Sequence, residues 1–258
     1  ALSKLVDVRF PDPARSDIGF GSTQSAVLPD LVAADTPTQY DLTDTASFII
    51  SITKNDGTGA WGLFTVSDTD TDGNGSYDDL AADINAALAS PVLGSAVDGL
   101  VQMVYDGSRM RIRRIDASVS AVHFSSGGTT SSEIGFAADQ MTTLTLTAAN
   151  PVSNPSFDDG KPLTNDDAHI EMTVKTASGT SIRTVVVLPG SADGTALAAA
   201  IDAALAAEGF AIDASLHSGR IVLTAQDATV LAFSLRTVNN DISDLVDDVN
   251  RALVQAGL

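Results

Sequence analysis

The residues with the clearest chemical potential in this chain are the aspartates of the segment SDTDTDGNGSYDDL, Ser67 to Leu80. Three carboxylates alternate along it, a glycine follows, and a further carboxylate closes a loop of about twelve residues, which is the spacing of an EF-hand-type calcium loop. Hard oxygen donors at this density favour Ca²⁺ over zinc or copper. The sequence therefore predicts a Ca²⁺ site in the loop 68–79, and its candidate metal ligands are Asp68, Asp70, Asp72, Asn74 and Asp79.

Two features of this loop depart from the EF-hand pattern. Its last ligand is Asp79, whose arm is shorter than that of the usual glutamate, and the preceding segment WGLFTV has the composition of a strand. The alternative interpretation is a solvated, aspartate-rich turn. A related segment, PGSADGTAL from Pro189 to Leu197, keeps only Asp193. Calcium is therefore predicted as an accessory brace and not as a requirement for folding.

Charge and composition restrict the classes of function. The formal net charge is −19, so phosphate backbones and anionic membrane surfaces would repel the chain, and neither nucleic acid nor membrane insertion is expected. No apolar run is long enough to predict a membrane span. The chain has no cysteine, which excludes disulfides and thiol nucleophiles. Among 33 acidic residues only Glu133, Glu171 and Glu208 are glutamates, and aspartate suits turns, helix caps and calcium loops.

Internal repetition is the strongest signal for the fold. DIGFGSTQ at residues 17–24 returns as EIGFAADQ at residues 133–140. Four further matches follow in the same order: ASFIISIT from Ala46 with AHIEMTVK from Ala168, LAADINAALA from Leu80 with LAAAIDAALA from Leu197, DGSRMRIR from Asp106 with HSGRIVLT from His217, and DASVSAVHFS from Asp116 with DATVLAFS from Asp227. Of these four pairs, LAADINAALA and LAAAIDAALA have helical periodicity, and the other three have strand composition. We therefore predict an α+β fold of two tandem repeat units, each a mainly antiparallel sheet with one amphipathic helix packed on a face.

The repeat also predicts domain boundaries. Residues 1–24 are the tail of a preceding unit, 25–140 form the first unit with its calcium loop, 141–162 are a linker, and 163–235 form the second unit. The linker prediction rests on the prolines of AANPVSNPSFDDGKP, because proline cannot continue strand pairing. Residues 236–258 contain a third helix pattern, LVDDVNRAL, which either opens a partial third unit or caps the second.

The repeated helix and the turn after it resemble the flagellin IN motif. The residues that carry the resemblance are Leu80, Ile84, Asn85 and Leu88 with the turn at residues 108–110, and Leu197, Ile201, Asp202 and Leu205 with the turn at residues 219–221. That motif occurs in flagellins, in hook-associated and hook-cap proteins, and in tandem in giant hemolysin-type, calcium-binding, adhesin-like bacterial surface proteins. The resemblance implies a secreted or cell-surface structural or adhesion module without catalytic residues.

Function is therefore predicted to be non-enzymatic, in a large exported bacterial surface protein whose partners are neighbouring repeats of the same polypeptide and a cell-surface or glycan ligand. One alternative is a flagellar hook-associated or filament-cap component, although terminal coiled-coil helices of the flagellin type are not found in this sequence. Another is a carbohydrate-binding domain, although the aromatic residues that bind sugars are scarce, with one tryptophan and three tyrosines.

The remaining reactive side chains have simpler interpretations. His123, His169 and His217 stand at different places in the repeat and none has a second histidine at metal-ligand spacing, so surface or strand-edge positions are predicted. Arg109, Arg111 and Arg113 alternate along a strand, which indicates a solvent-facing row that offsets nearby aspartates, or one that contacts an acidic partner or a neighbouring repeat. No nucleophile elbow, phosphate loop or dinucleotide fingerprint is present in the sequence.

Overall fold

The computed structural model of this protein describes residues 19–20, 24–126, 133–149, 151–152, 168–187, 191 and 193–237. These residues form fifteen strands and three helices. The first half of the described chain, residues 24–143, contains β1 (Gln24–Ser25), β2 (Leu31–Val32), β3 (Ala46–Lys54), β4 (Gly59–Val66), α1 (Asp68–Thr71), α2 (Tyr77–Leu88), β5 (Leu93–Gly94), β6 (Val101–Tyr105), β7 (Met110–Arg114), β8 (Val119–Ser125) and β9 (Asp139–Thr143). The second half, residues 145–237, contains β10 (Thr145–Thr147), β11 (Ala168–Thr176), β12 (Gly179–Val187), α3 (Gly194–Ala207), β13 (Ile212–His217), β14 (Arg220–Ala225) and β15 (Val230–Thr237).

The strands form four antiparallel sheets in the described residues. In the first half their orders are β5-β4-β3-β8-β9 and β2-β7-β6. The other two, β1-β15-β11-β12 and β10-β14-β13, consist of strands of the second half together with β1. Each half thus builds one sheet on a long hairpin and its returning strand, as in β4-β3-β8 and β12-β11-β15. A second, shorter hairpin, β6-β7 or β13-β14, forms a sheet of its own.

The predicted fold class is wrong. The protein is not an α+β array of two tandem repeat units, each a single sheet with one amphipathic helix on a face; it is mainly antiparallel β-structure in four sheets with three helices. Two of the sheets also combine strands that the prediction assigned to different segments, since β1 pairs with β15 and β10 pairs with β14. The local hydrophobic pattern predicts strands and helices, but it carries no information about which distant strands pair.

Two of the helices bury a comparable set of apolar side chains. In α2 these are Leu80, Ala81, Ile84 and Leu88, and in α3 they are Leu197, Ala198, Ile201 and Leu205. Leu80, Ile84 and Leu88 are fully excluded from solvent. The core they join is a single cluster that extends from Phe20 to Leu235 and includes buried residues of both halves. Burial of this apolar surface is the main force that holds the two halves together.

The segment between the halves is part of the sheets. Of the predicted linker 141–162, residues 141–143 lie in β9 and residues 145–147 form β10. Residues 153–162 lie outside the described residues, as do most of the predicted tail 1–24 and the predicted helix at 245–253. The boundaries of the repeat units stay a prediction. In the part of the chain that the structure describes, no helix is long and apolar enough to cross a membrane.

Candidate functional site

The aspartate-rich segment forms the starts of two helices. Ser67 precedes α1 and makes a capping box, in which the Ser67 Oγ accepts from the Asp70 N–H at 3.2 Å and the Asp70 Oδ2 accepts from the Ser67 N–H at 2.9 Å. Ser76 precedes α2, and its Oγ accepts from the Asp79 N–H at 3.3 Å. The Asp79 Oδ2 accepts from the Gly75 N–H at 3.0 Å and from the Ser76 hydroxyl at 2.9 Å. These carboxylates therefore satisfy the unpaired N–H groups at helix starts.

Asp68 and Asn74, two of the other predicted ligands, bond to separate partners. Asp68 Oδ1 accepts from the Thr69 N–H at 2.9 Å, and Asp72 is the C-cap residue that directly follows α1. The Asn74 side-chain amide donates to the Tyr40 carbonyl at 3.0 Å and to Asp83 Oδ2 at 2.8 Å, so it ties the segment to the chain before β3. Within the described ranges, no three acidic or histidine side chains are grouped closely enough to hold a metal ion. In this arrangement the five residues do not fit a preformed Ca²⁺ site, and calcium binding stays a prediction that requires the segment to rearrange.

Hydrogen bonding at the caps shifts the ionisation of two of these carboxyl groups. Bonds from the Ser67 hydroxyl and N–H hold the pKa of Asp70 below its ordinary value of 3.8, and bonds from the Ser76 hydroxyl and the Gly75 N–H lower the pKa of Asp79 in the same way. A lowered pKa means that the folded state favours the charged form. Both carboxylates therefore stabilise the fold above pH 3.8, and this contribution is lost as the pH falls through their lowered pKa values.

Replacing Asp70 by alanine separates capping from calcium binding. Because the capping box breaks in the variant, we expect the melting temperature to be lower than that of the unaltered chain even in excess EDTA. If calcium also binds here, the difference between the two proteins grows in millimolar Ca²⁺. Asp44→Ala, an exposed aspartate outside the segment, is the control. Equal melting temperatures of Asp70→Ala and the unaltered chain in EDTA would contradict the capping role.

Thr71 is a buried polar residue in the middle of this segment. Its side chain is fully excluded from solvent; its Oγ1 accepts from the Leu42 N–H at 2.9 Å and donates to the Asp68 carbonyl at 3.0 Å. The segment is therefore packed against the chain before β3 and is not merely a solvated turn. The sequence does not reveal this role of Thr71, because a threonine between aspartates matches the pattern of a polar loop.

Asn85, which the motif resemblance singled out without a role, lies against the outer strand of a sheet. β6 is at the edge of the order β2-β7-β6, and Asn85 on α2 pairs with it: Asn85 Nδ2 donates to the Met103 carbonyl at 2.9 Å, and Asn85 Oδ1 accepts from the Met103 N–H at 2.7 Å. In the second half Asp202 occupies the corresponding position, and its Oδ1 accepts from the Ala214 N–H of the edge strand β13 at 2.8 Å. Both side chains extend a sheet edge onto a helix, which protects that edge from other strands.

A shallow groove runs beside this contact. It has a volume of about 430 Å³ and lies between α2 and β6, where Asp78, Asn85, Gln102, Tyr105 and Arg113 are among its lining residues. The Asn85 amide is occupied by the β6 backbone, so Asp78, Gln102 and Tyr105 are polar lining groups that remain for a ligand. Tyr105 packs against the ring of Tyr77 with a centroid distance of 4.8 Å.

The arginine row on β7 is paired within the molecule. The Arg111 guanidinium donates to Asp106 Oδ2 at 2.5 Å, and the Arg113 Nε lies 3.4 Å from Asp30 Oδ2. Asp106 also accepts from the N–H groups of Arg109 and Ser108, and these bonds, with Arg111, lower its pKa from 3.8 to about 2. The contacts of Arg111 and Arg113 fit the prediction that these guanidinium groups offset nearby aspartates, whereas the Arg109 guanidinium donates to the Ala33 carbonyl.

Of the three histidines, His123 on β8 contacts the Asp139 carboxylate on the neighbouring strand β9. His217 is an exposed residue at the end of β13. His169 lies in β11, and the three are on different strands. The structure brings none of them together with a second histidine in the described ranges.

Comparison with known proteins gives little that bears on this geometry. No protein family model matches the chain, and no curated protein matches it. A solved structure to which the chain is similar is the flagellar cap protein FliD from Helicobacter pylori, with 14% sequence identity and a TM-score of 0.24. The alignment covers 86% of this chain and 60% of that chain. A TM-score this low does not establish a shared fold, so the role of that protein is not transferred to this one.

Proposed function

We propose that this chain is a non-enzymatic structural module of a large exported bacterial surface protein, where it acts as a spacer or adhesion module next to neighbouring repeats of the same polypeptide. The observation that supports the proposal most is the way the two halves of the chain interlock. A spacer must keep a fixed span under load, and a chain of independent domains on flexible linkers does not.

The interlock is made by two short segments. Residues 24–27 belong to the first half, yet β1 pairs with β15 and the Ala26 N–H donates to the Phe233 carbonyl at 2.9 Å. Val27 and Thr145 then exchange two backbone hydrogen bonds, each of 2.7 Å. Thr145 is the first residue of β10, which is the outer strand of the sheet β10-β14-β13. Pulling the halves apart therefore requires strand pairs and a shared core to break together.

The tips of the two long hairpins add a further contact. A Cβ placed on Gly57, in the β3-β4 turn, would lie 3.5 Å from the Ala177 Cβ in the β11-β12 turn and 3.6 Å from Leu231 Cδ1. The turns of the two halves thus meet at van der Waals distance. Together with the segment 24–27, they hold the halves at two separate places.

Urea unfolding, followed by tryptophan fluorescence in each half separately, tests the proposal. Trp61 is the only tryptophan of the chain and reports on the first half; Trp61→Phe with Phe210→Trp moves the probe to the second half. We expect both probes to give the same urea midpoint. Ile84→Ala, which removes a fully buried side chain from α2 and costs about 2–5 kcal/mol, is expected to lower both midpoints equally.

The outcome that would contradict the proposal is a shift confined to the Trp61 probe, because the halves would then unfold independently. A control substitution on the surface of α2, Ala82→Ser, is expected to move neither midpoint by more than a small amount. The carbohydrate-binding alternative stays a prediction and is tested by a glycan array with and without Ca²⁺. The flagellar alternative stays a prediction too, and it requires heptad helices at the ends of the full-length polypeptide.

A further inference from the structure

The two long hairpins differ at their outer edges. In the first half, β4 is covered by β5: Gly62 pairs with Gly94 and Leu63 with Leu93, and the flanking N–H groups of Val92 and Ser95 donate to β4 carbonyls at 2.8 Å. Gly94 has φ +94°, and a Cβ there would lie 2.3 Å from the Trp61 carbonyl oxygen. Glycine is therefore required at this position for the covering segment to approach the edge.

In the second half the corresponding strand, β12, is the outermost strand of its sheet in the part of the chain that the structure describes. The difference comes from the connection after the helix. In the first half residues 89–100 join α2 to β6 and supply β5, whereas in the second half residues 208–211 join α3 to β13 directly. The second connection is too short to cover an edge.

The side chains along β12 divide between two faces. Val185 and Val187 are buried, and Arg183 on the same face lies 3.8 Å from the Glu208 carboxylate and 5.8 Å from the centre of the Phe210 ring. The opposite face presents Thr180, Ile182, Thr184 and Val186, with Ile182 63% exposed and Val186 38% exposed. The β12 side chains on this second face carry no charge; the charges beside them, Lys175 opposite Thr180 and Glu171 opposite Thr184, belong to β11. An exposed edge strand is a template for pairing with another strand.

The backbone of β12 presents its free groups at the same residues. Thr176 and Gly179 face each other across a two-residue turn, so they form a hydrogen-bonded pair, and every second residue of β12 after Gly179 bonds to β11. Thr180, Ile182, Thr184 and Val186 consequently direct their N–H and C=O groups away from β11. An added strand would thus bond at the β12 residues whose side chains are uncharged and point away from the buried Val185 and Val187.

This edge is complementary to itself. In an antiparallel pair of two β12 strands related by a two-fold axis at Thr184, Ile182 of each copy stands opposite Val186 of the other, and the two Thr184 residues face each other. Apolar and Thr–Thr cross-strand pairs are favourable, and a two-fold interface needs this self-complementarity. Arg183 then faces Val185, whereas an axis at Arg183 would place two guanidinium groups together.

We propose that two copies of this chain associate edge to edge through β12, antiparallel about Thr184, and join their four-stranded sheets into one of eight strands. The inference does not depend on the proposed spacer function. Because each copy carries a net charge of −19, mutual repulsion opposes the association, and we expect the dimer to become stronger as the salt concentration rises.

Sedimentation velocity at increasing protein concentration, in low and high salt, tests the proposal. We expect a monomer–dimer equilibrium for the unaltered chain and loss of the dimer in Thr184→Lys, with circular dichroism showing that the variant is folded. Leu93→Lys is the matched control, since Leu93 is 61% exposed but lies on the strand that covers β4; we expect it to dimerise like the unaltered chain.

The register is tested separately by oxidation of introduced cysteines, which the cysteine-free chain allows. We expect Thr184→Cys to form a disulfide-linked dimer faster than Thr180→Cys, whose side chains would lie far apart in the proposed pair. A chain that stays monomeric at all concentrations and salts overturns the proposal, as does a dimer that persists in Thr184→Lys. Equal oxidation rates at the two positions would also overturn it.

Discussion

Replacing Asn85 by leucine is expected to lower the free energy of unfolding by about 2–3 kcal/mol. Leucine is similar in volume, but it can neither accept from the Met103 N–H nor donate to the Met103 carbonyl. Both backbone groups would then lie unpaired beneath α2, and each partly buried orphan costs free energy. Urea unfolding followed by circular dichroism measures the effect.

The second half offers a matched comparison for this prediction. Asp202 makes one hydrogen bond to its edge strand where Asn85 makes two. Asp202→Leu is therefore expected to cost less, about 1–2 kcal/mol. Asn85→Asp should be destabilising, because a carboxylate would face the Met103 carbonyl, while Asp202→Asn should be neutral or stabilising. If Asn85→Leu and Asp202→Leu left the urea midpoint unchanged, the role in edge protection would be refuted.

The second large effect is expected at Thr71. Thr71→Val keeps the shape of the side chain but removes the hydroxyl, so the buried Leu42 N–H loses its acceptor. An unsatisfied buried donor costs about 1–3 kcal/mol, and we expect a decrease in unfolding free energy of that size. Thermal and urea unfolding in EDTA provide the measurement, which keeps calcium out of the comparison.

Thr69→Val is the control for Thr71. Thr69 lies in the same short helix but is exposed, with its hydroxyl next to the Ser67 Oγ. We expect a change of less than about 0.5 kcal/mol there. Should the two valine variants be equally stable, the segment would be the solvated turn of the alternative interpretation and not a packed part of the fold.

Much of the local structure follows from the sequence. The apolar spacing of LAADINAALA and LAAAIDAALA predicts the two longer helices, and the β-branched segments from Ala46 and Ala168 begin strands at those residues. The pairing of sheets does not follow. Nothing in the composition of Gln24–Ser25 indicates that it pairs with Leu235 and Ser234, because the contact joins residues that are distant in the chain and depends on the assembled core.

At the candidate site the sequence pattern is compatible with two different roles. Aspartate side chains serve calcium loops and helix caps for the same reason, since a short carboxylate reaches nearby N–H groups as well as ions. The deciding signal was present in the sequence: Ser67 and Ser76 each stand three residues before an aspartate, Asp70 and Asp79, which is the spacing of a capping box. The alternation of aspartates was the more conspicuous pattern and led to the calcium prediction.

The sequence singles out Asn85 by its position but does not reveal its role. Its place in the repeated helix is evident from the match with Asp202, and periodicity puts it beside the buried Ile84. Its partner is a backbone group on a strand that follows the helix by many residues, and no spacing rule connects the two. The open edge of β12 is equally invisible in composition, although the shorter connection after the second helix is a difference that the aligned repeats contain.

If the two halves form one rigid body, the distance between them has a single value. Ala86 and Ala203 are exposed residues at corresponding positions of α2 and α3, and the chain has no cysteine, so Ala86→Cys with Ala203→Cys can carry a pair of spin labels. We expect pulsed electron paramagnetic resonance, with labelled protein diluted in unlabelled protein, to give a single narrow distance distribution. Thr145→Pro, which removes the N–H that donates to Val27, should broaden it. A broad or multiple distribution in the chain with native Thr145 would show that the halves move independently and are not one rigid body.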